Sequence, residues 1–156
     1  ELNALTQAWL CEPLGITDAS WVTRAKDAEG HAFSALHITA QSLRKIGEAL
    51  LQDQLVDPYY RAALGTPSGS TNPAWHLLWW NNQAETHMRP GSDQRYTRPL
   101  LPYAPRDLIS ARGAGGHHLS ISPSLGLVVA QTIDPAASSR PKPGHQQAFW
   151  ELIQQL

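Results

Sequence analysis

Between His118 and Thr132 the chain reads HLSISPSLGLVVAQT, and no other run constrains the fold as strongly. Leu119 and Ile121 alternate with Ser120 and Ser122, which is the period of a strand with one apolar face. SPSLG supplies the proline, serine and glycine of a turn, and LVVAQT returns as a more continuously apolar strand. Strands joined this closely pair antiparallel, because a parallel return needs a crossover of a dozen or more residues. The sheet so begun needs other elements to bury its apolar faces.

Helical periods supply them. Leu2, Leu5 and Trp9 repeat at helical spacing, and that helix must end near Pro13, which lacks an amide donor and disfavours helix in the residue before it. The chain opens directly on this helix without a methionine, as though entering an established domain. EPLGITDASW then reads as a loop. Thr39 is a suitable N-cap for a second helix, along which Leu43, Ile46, Leu50 and Leu51 form one apolar face. In YYRAALGTPSGSTNPAW any period is broken, and WHLLWWNN reads as one buried strand. Residues 83 to 106 carry four prolines and several arginines, and read as a long irregular connection across the surface. The last segment, HQQAFWELIQQL, sets Phe149, Leu152, Ile153 and Leu156 at helical spacing, giving a terminal helix to pack on the sheet. Helices, then strands, then a helix indicate an α+β fold with an antiparallel sheet flanked by helices.

A length of 156 residues with 42% hydrophobic content suits one domain or one fragment, residues 1 to 156. Twelve basic against thirteen acidic side chains leave a formal charge of -1, without the basic field that draws a protein to nucleic acid or anionic lipid. No apolar run approaches the roughly 20 residues of a membrane span, and no signal-peptide pattern opens the chain, so it reads as soluble. Cys11 is the single cysteine, which excludes an internal disulfide or a cysteine metal cluster; it reads as a small buried apolar residue.

The glycine run RGAGGHH raises the question of a ligand. Lysine followed by serine or threonine, which a phosphate-binding loop needs after its last glycine, is replaced by His117 and His118. The run also leads into a strand, whereas a dinucleotide fingerprint opens a helix. What remains is either glycine conformation for its own sake, at Gly113, Gly115 and Gly116, or backbone left bare for a ligand. His117 and His118 point to opposite faces of a strand and cannot share a metal without a bulge. His31, His37, His76, His87 and His145 lack the helical i, i+4 spacing of a metallopeptidase, so no metal ligand and no cofactor is assigned.

Two serine patterns have chemical content. Ser42 and Lys45 match S-x-x-K, in which a lysine one helical turn from a serine takes its proton if burial lowers the lysine pKa. Lys45, however, lies away from the Leu43, Ile46 and Leu50 stripe, where it is expected to be solvated and charged, a poor base. Ser70-Thr71-Asn72 matches S-x-N.

Several stretches, in order, resemble the serine β-lactamase-like superfamily, which holds class C type β-lactamases, D-alanyl-D-alanine peptidases, related esterases and nylon-oligomer hydrolases. EPLGITDASW is similar to the family's PLGM element, ALHITAQSLRKIGEALL to its GLxMTAxDLAKFGxLLL helix, LLWWNN to its GWWW-like segment, and ARGAGGHHLSISPSLGLVVA to its ASGYGGQxIxVxPxxxLVVV hairpin. The resemblance implies the C-terminal part of the penicillin-binding-protein transpeptidase-like fold. It puts an aspartate at the position of Ser42, so that Ser42 here caps or faces water, and it places the nucleophile far upstream. Ser70-Thr71-Asn72 follows the helix that the family's Y-x-N or S-x-N precedes, and none of Tyr59, Tyr60, Tyr96 or Tyr103 begins a Y-x-N.

The family's third active-site element, Lys or His, then Thr or Ser, then Gly, corresponds to Ala111-Arg112-Gly113, of which the glycine alone is kept. The resemblance implies that Ala114, with Gly113 beside it, forms an oxyanion wall, each such donor being worth about 3 kcal/mol of barrier. It also puts Arg112, Gly115, Gly116 and His117 on the substrate side. Arg112 either clamps a substrate carboxylate or points to solvent.

Three functions follow as expectations. The first is the C-terminal portion of a β-lactamase-related serine hydrolase acting on a small-molecule amide or ester, inactive alone and partnered by its missing N-terminal half. The second is a non-catalytic binding module on the same scaffold, and the third a small hydrolase using Ser42 and Lys45. Family analogy implies a periplasmic or secreted location, with the cytoplasm left open.

Overall fold

The computed structural model describes residues 1–134, 136, 141 and 144–155. Its centre is a five-stranded antiparallel sheet in the order β3 (Trp75–His76), β4 (Trp79–Asn81), β7 (Ile109–Arg112), β8 (His118–Ser122) and β9 (Leu127–Gln131). Ile109, Ile121 and Val128 form one cross-strand row, and Trp80, Ser110, Ser120 and Val129 the next. Because side chains alternate across a strand, these rows face opposite sides of the sheet. The hairpin in HLSISPSLGLVVAQT thus forms as its sequence requires. Asp107 secures its turn, accepting from the Ser124 amide at 2.6 Å and from the Ser124 hydroxyl at 2.9 Å.

The helix α2 (Ala40–Leu51) covers the first face, with Thr39 Oγ1 accepting from the Ser42 amide as the expected N-cap. Leu50, Ile109 and Ile121 form the core there, with Ile46, Leu51 and Val128 packed around them. Gly47 lets helix and sheet meet closely, since a Cβ at that position would lie 2.5 Å from Val128 Cγ1 and 2.7 Å from Leu119 Cδ1. The other face carries α4 (His145–Ile153), whose buried Trp150 packs with Leu101, Ala104 and Leu108 and with Leu127, Val129, Phe149 and Ile153. Leu152 is exposed instead of lying on the apolar face read from the sequence, because Trp150 takes the inward position, and Leu156 lies outside the described residues.

Other expectations change in detail. α1 (Leu2–Thr6) continues as a π-helical turn over Gln7–Cys11 and stops where Pro13 demands, with Cys11 buried as expected. Its apolar stripe faces outward, Leu2, Leu5 and Trp9 being 48%, 56% and 80% exposed. The polar side is pinned instead. Asn3 Oδ1 accepts from the Trp21 amide at 2.7 Å, and Trp21 Nε1 donates to Thr6 Oγ1 at 2.8 Å. Trp21 belongs to a separate hairpin, β1 (Ser20–Lys26) with β2 (Ala32–His37), that the loop reading missed. Its turn was legible: Asp27 Oδ1 accepts from the Glu29 and His31 amides, and Gly30 has φ +87°. So was α3 (Pro58–Gly65), where Asp57 caps the Tyr59 amide at 2.8 Å and Pro58 opens the helix.

WHLLWWNN is two short strands and not one. β3 and β4 are joined by Leu77 and Leu78, both at positive φ, 49° and 68°, as a two-residue turn of the primed type requires. Neither residue announces such a turn, and each pays the left-handed steric cost. The connection over residues 83 to 106 is irregular, as read, apart from a ladder between β5 (His87–Met88) and β6 (Arg95–Tyr96). It is not confined to the surface, since Leu101 and Ala104 enter the core. Asn82 draws them in: Nδ2 reaches the carbonyls of Leu101, Ala104 and Pro105 at 3.0, 3.1 and 3.0 Å, and Oδ1 accepts from the Leu101 amide at 2.9 Å. No helix among the described residues is long and apolar enough to cross a membrane.

Two substitutions test these local arguments by equilibrium denaturation. Leu77→Asn combined with Leu78→Gly is expected to raise stability by about 1 to 2 kcal/mol through removal of left-handed strain. Asn82→Ala, which strands buried carbonyls and an amide, is expected to cost about 3 kcal/mol.

Candidate functional site

Period-two alternation gathers the site on the α4 face of the sheet. Trp75 pairs with Trp80, Trp80 with Ser110, and Arg112 stands two residues beyond Ser110, so all three large side chains emerge on one side. With Asn72 and Pro90 from the flanking loops they line a cleft of about 360 Å³. Asn72 holds the mouth in place: its Oδ1 accepts from the Met88 amide and its Nδ2 donates to the Met88 carbonyl, each at 3.1 Å. Arg95 Nη2 donates to the Thr71 carbonyl at 3.0 Å, which fastens the same loop to β6. A larger hollow, about 440 Å³ between Leu5, Thr6 and Trp9, is nearly all apolar and gathers no reactive group.

One cation lines the cleft, and two more stand near it. Arg112 is exposed at its mouth, and surrounding protein strips enough water from the guanidinium to lower its pKa, though an arginine stays charged. Arg89 and Arg98 stand over the Tyr96 ring at 5.0 and 5.9 Å, and His87 stacks on the same ring at 4.9 Å. His87 is buried and donates Nδ1–H to the Arg98 carbonyl at 2.9 Å. Burial lowers its pKa most, the carbonyl opposes this, and the charges of Arg98, Arg89 and Arg112 lower it further. The imidazole is therefore neutral at neutral pH, and the surrounding charge belongs to the arginines.

Arg112 also pairs in register with His118, which is buried beneath α4. His118 Nδ1 lies 2.8 Å from Gln146 Nε2 and 3.4 Å from the Gly116 carbonyl. Burial lowers the His118 pKa, the Gly116 carbonyl opposes it, and Arg112 and His145 add to the lowering. His145 itself bonds Gln131 Oε1 through Nε2 at 2.9 Å. A polar seam thus runs from the cleft under the terminal helix.

The glycine turn divides the residues assigned from the sequence. The Gly113 amide donates to the His117 carbonyl at 2.9 Å, which takes it out of any oxyanion wall. Gly116, at φ +102°, is pressed against Pro141, and its carbonyl accepts from Gln131 Nε2 at 2.6 Å. His117 Nδ1 accepts from the Ile133 amide at 3.2 Å. These three close the turn on itself. Ala114 and Gly115 remain exposed beyond the end of β7, separated by Gly113 from the cleft residue Arg112. The tight-turn reading of the glycines therefore holds for Gly115 and Gly116, which both have positive φ.

Ser42 and Lys45 are not brought together. Ser42 is buried, neither capping alone nor facing water; the Asp18 carboxylate accepts from the Thr39 amide at 3.1 Å, and the nearby Ser42 and Thr39 hydroxyls pull the Asp18 pKa down to about 2. Lys45 is half-buried where a solvated side chain was expected, and Nζ donates to the Gly15 carbonyl at 2.8 Å. Ser70 forms a local turn, its hydroxyl 2.6 Å from Ser68 Oγ and 3.2 Å from the Asn72 carbonyl. Among the described residues the grouping with metal-ligand chemistry is Asp27, Glu29 and His31 at the β1–β2 turn, where Asp27 already serves the turn and His31. Neither this grouping, nor the cleft residues Trp75 and Trp80, nor the neighbouring cluster of His87, Arg89 and Arg98 was singled out from the sequence.

No family model, no curated protein and no solved structure matches the chain.

His118 and His87 set an acid limit on stability. Their folded pKa values lie below the usual 6.5, so the unfolded chain takes up protons first as pH falls. Stability is expected to be level above about pH 6.5 and to decline below it, by up to about 1.4 kcal/mol per pH unit for each histidine. Urea denaturation of the chain and of His118→Gln across that range measures it, the variant showing the shallower slope.

Proposed function

We propose that the chain is the C-terminal part of a serine hydrolase of the β-lactamase-like type, contributing one wall of a cleft for acyl transfer on an amide or ester. The observation that supports this reading is an exposed Ala114–Gly115 turn just past the end of β7, the strand whose last residue, Arg112, lines a cleft with Trp75 and Trp80. A serine supplied by another portion of the polypeptide passes its proton to a lysine of that portion and attacks the substrate carbonyl; the C=O π bond opens, the negative charge on its oxygen takes a hydrogen bond from the Ala114 amide, and the carbonyl re-forms as the amine or alcohol leaves with the proton. With the Gly113 amide committed to His117, Ala114 is this chain's donor. Arg112 holds a substrate carboxylate by a charge-assisted pair, and Trp75 and Trp80 receive the apolar body.

A second reading, a non-catalytic binding module, is favoured by one observation. The S-x-x-K pair is dispersed to Asp18 and Gly15, while the cleft is lined and carries one cation. Both readings expect the 156-residue chain to stay unlabelled by a fluorescent penicillin or a fluorophosphonate. Labelling abolished by Ser42→Ala overturns both. Joined to a polypeptide that carries an S-x-x-K helix, the chain is expected to restore labelling under the first reading. Arg112→Ala is then expected to raise KM for carboxylate-bearing substrates at least about tenfold with kcat little changed, in keeping with the loss of one charge-assisted pair. Failure to restore labelling leaves the binding module.

A further inference from the structure

The arginine side chains divide into two groups. Arg24, Arg44, Arg61, Arg95 and Arg106 are committed to the fold, where they bond His37, Glu48, Asp53, the Thr71 carbonyl and Glu85 in turn. Arg89, Arg98 and Arg112 instead gather at one place. Arg112 lines the cleft with Trp75 and Trp80. Arg89 sits between two residues tied to that cleft: Pro90 lines it, and Met88 has its amide and its carbonyl bonded by Asn72, which lines it too. Arg98 is joined to the same place through the β5–β6 ladder. Its carbonyl takes the His87 Nδ1–H, His87 pairs with Tyr96, and the Arg89 and Arg98 guanidiniums both stand against the Tyr96 ring. All three charges reach the buried His87 imidazole and lower its pKa.

Three permanent like charges drawn together repel, and contact with one tyrosine ring offsets that in part. Carboxylates of the described residues do not offset the remainder. Those in ion pairs are Asp27, Glu48, Asp53 and Glu85, each with another partner, and Asp107 holds the Ser124 turn. Within the sequence, the positions outside the described residues carry no aspartate or glutamate.

We propose that Arg112, Arg89 and Arg98 form a two-part anion site, and that the ligand of the cleft is a dianion: an apolar body with one carboxylate for Arg112 and a second for the Arg89 and Arg98 pair at Tyr96. The first contact rests on the reading of the cleft as a carboxylate site; the second extends the ligand beyond it. A guanidinium presents paired donors that match the two oxygens of a carboxylate, and Trp75 and Trp80 offer flat apolar surface to the body between the charges. A monoanion would leave two of the three guanidiniums without a counter-charge.

Calorimetric titration of the chain with benzoate and with phthalate, isophthalate and terephthalate tests this, the three isomers offering three separations of the carboxylates. At least one isomer is expected to bind at least about tenfold more tightly than benzoate, as one added charge-assisted pair requires. The gain is expected to vanish in the double variant Arg89→Gln with Arg98→Gln, which still binds benzoate, and to persist in Lys26→Gln, which removes an exposed cation of β1. Benzoate bound with no isomer tighter overturns the dianion and leaves the carboxylate reading of Arg112 standing. No heat with any of the four compounds overturns both. A gain that survives the double variant, or that falls as far in Lys26→Gln, overturns the two-part site by assigning the gain to a general attraction between charges.

Discussion

One buried amide side chain holds the molecule's irregular half to its regular half. Asn82 leaves the end of β4 with its backbone amide donating to the Leu108 carbonyl, and its side chain binds Leu101, Ala104 and Pro105. Leu101 and Ala104 are thereby delivered to the cluster around Trp150, so the docking of the terminal helix depends on a connection that has almost no secondary structure. Asn81 repeats the device on the other side, with Nδ2 donating to the Pro73 carbonyl and Oδ1 accepting from the Ala84 amide. A buried backbone group left without a partner costs about 1 to 3 kcal/mol, so these two residues replace the hydrogen bonds a strand would have made.

The α4 side of the sheet is unusually polar for a covered face. Ser110 and Ser120 satisfy each other at 2.7 Å, and His118 and Gln146 pair beneath the helix, while the α2 side is built from isoleucine, leucine and valine. The two faces thus have different electrostatic properties. Arg112 is tolerated at the cleft mouth because its charge reaches water, whereas His87 and His118 are kept neutral by burial and by the arginines around them. Positive charge is in this way collected on guanidinium groups that keep it at every working pH, which suits a carboxylate-bearing ligand.

Legibility followed the length scale of the interactions. The β8–β9 hairpin, the α2 helix with its Thr39 cap and the terminal helix were readable because their periods lie within one segment. The first hairpin and α3 were also written locally, in Asp27 with Gly30 and in Asp57 with Pro58, and could have been found. The Leu77–Leu78 turn could not, since leucine is a poor resident of the left-handed region and nothing nearby marks the reversal. With that turn hidden, the placement of Trp75 and Trp80 on the same face as Arg112 was hidden too. The dispersal of Ser42 and Lys45 likewise depended on Asp18 and Gly15, which lie more than twenty residues before them.

The sequence by itself determined an α+β chain with an antiparallel sheet, a helix before it and a helix after it, a near-neutral charge, and a glycine turn bounded by Arg112. These follow from side-chain periodicity and backbone preference, which act over a few residues. Tertiary structure alone decided that the Gly113 amide is taken up within its own turn, that Ser42 is buried, that three arginines and a stacked histidine gather near the two cleft tryptophans, and that among the described residues β9 ends the sheet. Those are properties of strand register and of contacts between distant segments, and a side chain's neighbours across a sheet are set by pairing that no local run of residues encodes.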